Sequence, residues 1–192
     1  MDEGQDLAYQ EYQLLVQLNQ RQVIFNIYGD TNQLLKEKRG IRSWDRLCET
    51  FQMKEYTLNE NYRNTNQITR FCNRYFSMQV TQTGVDGVKV RKVKRSALEQ
   101  VLMKLPFGSE RVAILIPRTM KKEAYLKMEE LSEEMQEAVQ DTVMYVDEIK
   151  GIEFDRVFVM LDGMSKNERY IACTRALSEL ILVTKDEEQK KQ

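Results

Sequence analysis

The sequence has 192 residues, with 29 Lys and Arg against 30 Asp and Glu, a net charge of −1 and a hydrophobic content of 42%. This composition is typical of a soluble globular protein, and the balanced charge requires that any nucleic-acid-binding surface be local. The chain contains no histidine, which excludes histidine general bases, Ser–His and Cys–His nucleophile pairs and the common zinc sites.

The N-terminal segment carries adjacent carboxylates in Asp2-Glu3-Gly4-Gln5-Asp6. In such a pair one carboxylate can hold Mg²⁺ on nucleotide phosphates while the other orients an attacking water. The alternative is an acidic chain end or a helix cap. Residues 6–20 follow with leucines at helical spacing, which predicts an amphipathic helix.

An apolar run at residues 23–28 predicts the next element, a strand that ends in Gly29-Asp30-Thr31-Asn32-Gln33. Read alone, this ending has the composition of a turn. Trp44 follows within an apolar-patterned segment, which favours a packing role over base stacking.

Arg63 ends the stretch Leu58-Asn59-Glu60-Asn61-Tyr62-Arg63. Its planar, permanently charged guanidinium suits a contact with phosphate oxygens. It can equally lie at the start of a helix that Thr65 caps. The apolar face of that helix would be formed by Ile68, Phe71, Cys72, Tyr75 and Phe76.

The middle of the chain has the pattern of a scaffold. Strands are predicted at 88–93 and 111–116, with a helix from Ser96 to Leu105 that begins with a Ser96–Glu99 capping box. A charged, Met-rich helical region is predicted from Thr119 to about Gln140. The basic run Lys89, Arg91, Lys92, Lys94 and Arg95 is interpreted as a solvated strand face.

The last third of the chain predicts a βαβ unit. Apolar strands are expected at 142–146, 156–161 and 180–184, and a helix should begin at Ser165 with a capping box to Glu168. Arg175 would then stand about three turns from the N-cap. In such units the functional turns are expected at the carboxyl ends of the strands.

Two segments of this unit, Lys150-Gly151-Ile152-Glu153-Phe154 and Ala172-Cys173-Thr174-Arg175-Ala176, resemble motifs V and VI of UvrD-like superfamily 1 helicases. Asp2–Asp6 resembles motif II, Gly29–Gln33 motif III and Leu58–Arg63 motif IV. The resemblance covers nearly the full chain, but no Gly-x-x-x-x-Gly-Lys-Ser/Thr loop occurs in it.

The resemblance implies an α/β fold of the RecA-like P-loop NTPase type, with a mainly parallel sheet flanked by helices but without the P-loop itself. Residues 1–55 would be the tail of the first motor domain, and residues 56–192 the second motor domain. The large insertion between motifs IV and V is absent, which places the chain nearer the helicase IV and HelD-like branch.

The resemblance also implies an ATP-dependent DNA helicase that moves 3′–5′ on single-stranded DNA. ATP and Mg²⁺ would bind only with the first motor domain of the same protein present. Asp2 would hold Mg²⁺, Glu3 would orient water and Gln33 would sense the γ-phosphate. The remaining implied roles are phosphate neutralisation by Arg63 and the arginine finger Arg175, ribose or water contact by Gly151 and Glu153, and nucleic-acid contact by Lys150 and Thr174.

Two alternatives stay open: an ATP-driven remodeller of RNA polymerase, and a non-catalytic interaction module that kept the fold. Without a phosphate-binding loop, the chain alone is expected to be inactive. Arg175 is expected to be exposed or loosely paired, because a finger waits for a phosphate. The three widely spaced cysteines and the lack of a long apolar run predict a cytoplasmic protein without membrane contact.

Overall fold

The computed structural model describes residues 1–19, 24–35, 39–105, 110–121 and 139–186. The chain divides into two compact units, residues 1–58 and residues 59–192. Among the described residues no helix is long and apolar enough to cross a membrane.

The first unit, residues 1–58, is built from short elements. Two 3₁₀ turns span Gly4–Asp6 and Thr31–Gln33, and helices α1 and α2 span Tyr9–Leu18 and Asp45–Phe51. The core of this unit consists of Tyr12, Ile41 and Leu47, with Trp44 packed against it. Trp44 therefore has the packing role that its apolar surroundings predict.

The strand predicted at residues 23–28 is wrong for the part that the structure describes. Residues 24–30 are extended without forming a strand, and they bond to the start of the chain instead. The Tyr28 N–H donates to Met1 O at 2.9 Å, and the Gly4 N–H donates to Tyr28 O at 2.8 Å. An apolar run becomes a regular strand only where a partner continues the ladder, and the Gly4–Asp6 turn interrupts this one.

The second unit, residues 59–192, contains a five-stranded, wholly parallel sheet in the order β3-β7-β6-β4-β5. Its strands are β3 (Arg91–Lys94), β4 (Val112–Ile116), β5 (Val143–Tyr145), β6 (Phe154–Met160) and β7 (Ala176–Thr184). A separate parallel pair joins β1 (Glu60–Asn61) to β2 (Thr81–Gln82). The predicted parallel sheet is confirmed, since each of its five strands overlaps a predicted one.

Helices cover both faces of this sheet, because alternate side chains of the buried strands point to opposite sides. On one face α4 (Leu98–Leu102) packs over Ile114, Phe158 and Ile181. The other face carries α3 (Asn66–Phe76) and α5 (Lys166–Thr174), which contact each other and β7. Strand β6 passes through α5 into β7, so the predicted βαβ unit is confirmed.

Two other helix predictions are not confirmed by the structure. The Ser96 capping box is wrong, because both the backbone N–H and the hydroxyl of Ser96 donate to the Asp186 carboxylate, at 3.1 and 2.6 Å. Ser96 therefore lies in the 3₁₀ turn Arg95–Ala97 that precedes α4. Most of the predicted 119–140 helix lies outside the described residues, of which 139–142 are helical.

The start of α5 offers a direct test of the capping box that the sequence predicts. The Ser165 hydroxyl accepts from the Glu168 N–H at 3.2 Å, and the Glu168 carboxylate accepts from the Ser165 N–H at 2.7 Å. Ser165→Ala should lower the free energy of unfolding of the full chain by about 1 kcal/mol, measured by urea denaturation with circular dichroism. Ser178→Ala, at an exposed position of β7, is the control and should change it by less than about 0.5 kcal/mol. Equal effects of the two changes would show that the box is not formed.

Candidate functional site

Three segments of the second unit meet at the amino ends of β6 and β7. The Phe154 N–H, at the start of β6, donates to Arg175 O at 3.0 Å. The Thr65 N–H, just before α3, donates to Leu177 O at 3.1 Å. The expectation that the functional turns lie at the carboxyl ends of the strands is therefore wrong for these segments. The Lys150–Glu153 turn leads into β6, and Arg175 leads into β7.

Asn64 holds this cluster together. Its side chain is 5% exposed, and its Nδ2 donates to Ala176 O at 2.6 Å and to Thr174 O at 3.2 Å. Its Oδ1 accepts from Asn61 Nδ2 at 2.8 Å. The sequence analysis missed Asn64, because an asparagine before a helix has the signature of a turn residue. Only its neighbourhood, in the same short motif as Arg63, could have singled it out.

Arg63 and Glu153 form an ion pair beside this cluster, with 2.6 Å between Nε and Oε1. Their side chains are 49% and 31% exposed. An ion pair so open to solvent contributes little net stability. Either group can therefore exchange its partner for a charged or polar group of a ligand at small cost.

The same segments contain three further candidate residues, Lys150, Gly151 and Thr174. Gly151 has a φ of +82°, and a Cβ built there would have no atom within 4 Å, so the left-handed backbone rather than lack of space requires glycine. Lys150 is half-buried. The Thr174 hydroxyl lies 3.0 Å from both Tyr170 O and Ile171 O, where it donates back into its own helix.

Arg175 is buried, with an exposed fraction of 3%, so the expectation of an exposed finger is wrong. It occupies the C-cap position of α5, and its Nε lies 3.4 Å from Ile171 O. A cation at the carboxyl end of a helix is stabilised by the helix dipole and by the carbonyls that end there. Its neighbours Ile171 and Ala172 are buried as expected, whereas Leu177 is half-buried.

The candidate residues of the first unit form their own hydrogen-bonded chain. Gln5 is fully buried, and its Nε2 donates to Glu3 Oε2 at 2.6 Å. Its Oε1 accepts from the Asp30 N–H at 3.0 Å, and Asp30 Oδ2 accepts from Gln33 Nε2 at 3.2 Å. Glu3 and Gln33 are thus joined through Gln5, a residue that the sequence analysis did not single out.

Asp2 precedes Glu3, the first member of this hydrogen-bonded series. It is exposed, and its Oδ1 accepts from the Glu3 N–H at 2.8 Å. Mg²⁺ is commonly held by one or two carboxylates together with phosphate oxygens of a substrate, and an exposed carboxylate fits that donor set. The described residues contain no cluster of three or more His, Cys, Asp or Glu that could hold a metal by itself.

Cys72 of α3 and Cys173 of α5 are buried free cysteines. Burial raises the pKa of Cys72 to about 12 and that of Cys173 well above the ordinary value. Both are therefore neutral thiols at physiological pH, and a thiol is a poor nucleophile and metal ligand compared with a thiolate.

Comparison with known proteins decides the family. The family model of the viral superfamily 1 RNA helicase core domain matches residues 1–184. The chain belongs to this helicase family. The prediction of a superfamily 1 helicase domain is thereby confirmed.

Solved helicase structures share the fold. The helicase of PRRSV matches with a TM-score of 0.56 and 15% identity, over 98% of this chain and 35% of that one. The chain thus spans about a third of that protein's length, and the likeness supports the RecA-like helicase fold. No curated protein sequence matches the chain.

Two further structures match less well. The C-terminal domain of a possible DNA helicase from Lactobacillus plantarum WCFS1 has a TM-score of 0.42 and 21% identity, over 65% of this chain and 87% of that one. An arterivirus nonstructural protein 10 helicase, solved in complex with DNA, has a TM-score of 0.44 and 15% identity, over 82% of this chain and 33% of that one.

The tether through Asn64 gives a prediction for this helicase-family chain. Asn64→Ala leaves the buried carbonyls of Thr174 and Ala176 without their donor, so the free energy of unfolding should fall by about 1–3 kcal/mol in urea denaturation. Asn59→Ala, at an exposed position five residues earlier, is the matched control. A similar small effect from both substitutions would show that Asn64 does not hold the motifs together.

Proposed function

We propose that this chain is part of a nucleic-acid-dependent NTP hydrolase, a helicase motor, and that its second unit supplies cations to the phosphates of ATP. One observation carries the proposal: the Arg63–Glu153 ion pair stands exposed on a backbone cluster that Asn64 ties together. A family model over residues 1–184 supports the same function.

Phosphoryl transfer is accelerated mainly by positioning and by charge stabilisation on the transferred group. Arg63 offers a rigid fork of donors that matches phosphate oxygens. Glu153 pairs with this guanidinium, with 2.6 Å between its Oε1 and Arg63 Nε. A phosphate would take over the guanidinium, and the released Glu153 carboxylate would be available to a ribose hydroxyl or a bound water.

Arg175 has a different part in the proposal. Because its side chain is 3% exposed and its carbonyl accepts from the Phe154 N–H, it is placed to fix the backbone on which Arg63 and Glu153 stand. We therefore assign the direct phosphate contact to Arg63 and a positioning role to Arg175. The finger role implied by the motif resemblance would require Arg175 to leave this buried position.

Separate roles are proposed for candidate residues of the first unit. Asp2 would hold Mg²⁺, which neutralises charge on the phosphates when bound. Glu3 is the candidate that orients the attacking water, and Gln33 is the candidate that senses the γ-phosphate. The chain Glu3–Gln5–Asp30–Gln33 supports this assignment, since it connects the two candidates through direct hydrogen bonds.

The polymer on which the motor would act has two candidates. The family description favours RNA, whereas the motif resemblance to UvrD-like enzymes favours 3′–5′ movement on single-stranded DNA. Unwinding assays with matched RNA and DNA duplexes carrying 3′ or 5′ tails separate these proposals. Remodelling of RNA polymerase and a non-catalytic module are the alternatives. They would be favoured if a protein that joins this chain to a motor domain with a phosphate-binding loop unwound neither duplex.

The chain alone should not hydrolyse ATP above background. Its sequence has no Gly-x-x-x-x-Gly-Lys-Ser/Thr loop, so it has no backbone cradle for the β- and γ-phosphates. Phosphate release by the purified 192-residue chain with Mg²⁺ tests this. Magnesium-dependent turnover that Glu3→Gln abolishes would contradict the prediction that the chain alone is inactive.

The role of Arg63 can be tested in a protein that joins this chain to a motor domain with a phosphate-binding loop. Arg63→Ala should lower nucleic-acid-stimulated ATP turnover by about 10³–10⁵-fold without unfolding the chain, because the group acts on transition-state charge. Arg111→Ala is the matched control, since Arg111 is exposed and pairs with Asp155 at 3.5 Å. Turnover within a few-fold of the parent protein for both variants would remove Arg63 from the site.

A further inference from the structure

A basic surface lies on the exposed side of α3 and α5. Helix α3 carries no acidic residue from Asn66 to Phe76, and it exposes Arg70 and Arg74 one turn apart. Arg169 of α5 lies beside the end of α3, with its Nη1 3.5 Å from the hydroxyl of Tyr75. We call these arginines, together with Phe71 and Tyr75, the α3–α5 face.

The arginines of this face differ from others in the unit. Arg63, Arg91 and Arg118 each have a carboxylate oxygen within 3.0 Å. No carboxylate of the described part of the chain pairs with Arg70, Arg74 or Arg169, and Arg70 instead donates to the neutral Gln82 Oε1 at 3.1 Å. Among the described residues, these three arginines are therefore cations without a carboxylate partner, in a chain of net charge −1.

Aromatic rings lie among these cations. The rings of Phe71 and Tyr75 stack with centroids 5.2 Å apart and an interplanar angle of 19°, and Tyr75 is 42% exposed. Phe76 packs edge-on against Tyr75 at 4.9 Å and against Tyr170 of α5 at 5.4 Å, which fixes the orientation of the Tyr75 ring. An ordered, exposed ring between cations is a platform on which a base can stack.

Arg169 supplies an independent observation. Its Nε is buried and has no hydrogen-bond acceptor within the described residues. A buried donor without a partner costs free energy that an added acceptor would recover. A phosphate bound beside Tyr75 would satisfy this donor once the Arg169 side chain moves outward.

From these observations we propose that the α3–α5 face binds single-stranded nucleic acid, with phosphates on Arg70, Arg74 and Arg169 and a base on Tyr75. Residues one turn apart on a helix have Cβ atoms about 5–6 Å apart, so the two α3 arginines can follow one backbone. Tyr75 lies ten residues from Thr65, about 15 Å along α3, so this face is separate from the Arg63 site. The inference goes beyond the proposed function, because binding here needs neither nucleotide nor the motif residues.

The test is fluorescence anisotropy of a labelled 15-nucleotide oligouridylate with the full chain, without nucleotide, over a range of NaCl concentrations. Arg70→Gln with Arg74→Gln should lower the slope of log Kd against log salt by about 1.4, since each phosphate contact on a single strand contributes about 0.7. Lys92→Gln with Lys94→Gln is the matched control, because it removes the same charge from exposed positions of β3.

Tyr75→Leu should weaken binding by about fivefold to a hundredfold through loss of stacking, whereas Tyr75→Phe should retain most of the affinity. Unchanged circular dichroism verifies the fold of each variant.

Three results would overturn the proposal: no binding of the oligouridylate, equal loss from the arginine and lysine pairs, or equally tight binding of polyglutamate, which would indicate an acidic protein partner. These results leave the ATP turnover assays of the Arg63 site unaffected, so failure of one proposal is distinguishable from failure of the other.

Discussion

Two backbone carbonyls at the junction of α5 and β7 set the main constraint on the second unit. Thr174 O lies at the end of a helix and Ala176 O at the start of a buried strand, and buried carbonyls need donors. The amide nitrogen of Asn64 serves both, at 3.2 and 2.6 Å. The same contact fixes where the chain enters α3, and hence where Arg63 stands. One buried side chain thus ties together the segments that carry Arg63 and Arg175.

The site combines a rigid backbone with exchangeable side-chain tips. The Thr65 and Phe154 amides bond to the segment around Arg175, and Arg175 itself is buried, so the framework resists displacement. Arg63 and Glu153, by contrast, are 49% and 31% exposed and interact only through a surface ion pair. This division fits the proposed exchange of partners, in which Arg63 turns from Glu153 to a phosphate. The first unit has the same organisation, with buried Gln5 positioning the more accessible Glu3 and Gln33.

The sequence predicts the sheet well because a buried parallel strand is a short, continuous apolar run, and residues 112–116 and 180–184 have that pattern. The Ser165 capping box is equally local and is also correct. Asn64 was missed because its partners lie 110 and 112 positions further along the chain. Arg175 was expected to be exposed or loosely paired because a finger waits for a phosphate, whereas it is 3% exposed at the end of α5. Ser96 bonds to Asp186, 90 positions away, in preference to Glu99 in its own segment. The errors at Asn64 and Ser96 therefore concern polar groups with distant partners.

Amide hydrogen exchange of the free chain tests most directly whether the segments around Thr65, Phe154 and Arg175 are held together. The Thr65 and Phe154 amides, which donate to Leu177 O at 3.1 Å and to Arg175 O at 3.0 Å, report the two backbone links of the cluster. Both should exchange slowly, with the same opening free energy as the central amides of β6, because they open only when the unit unfolds. Exchange of the Thr65 amide at the rate of an exposed loop, with β6 still protected, would contradict the assembled site.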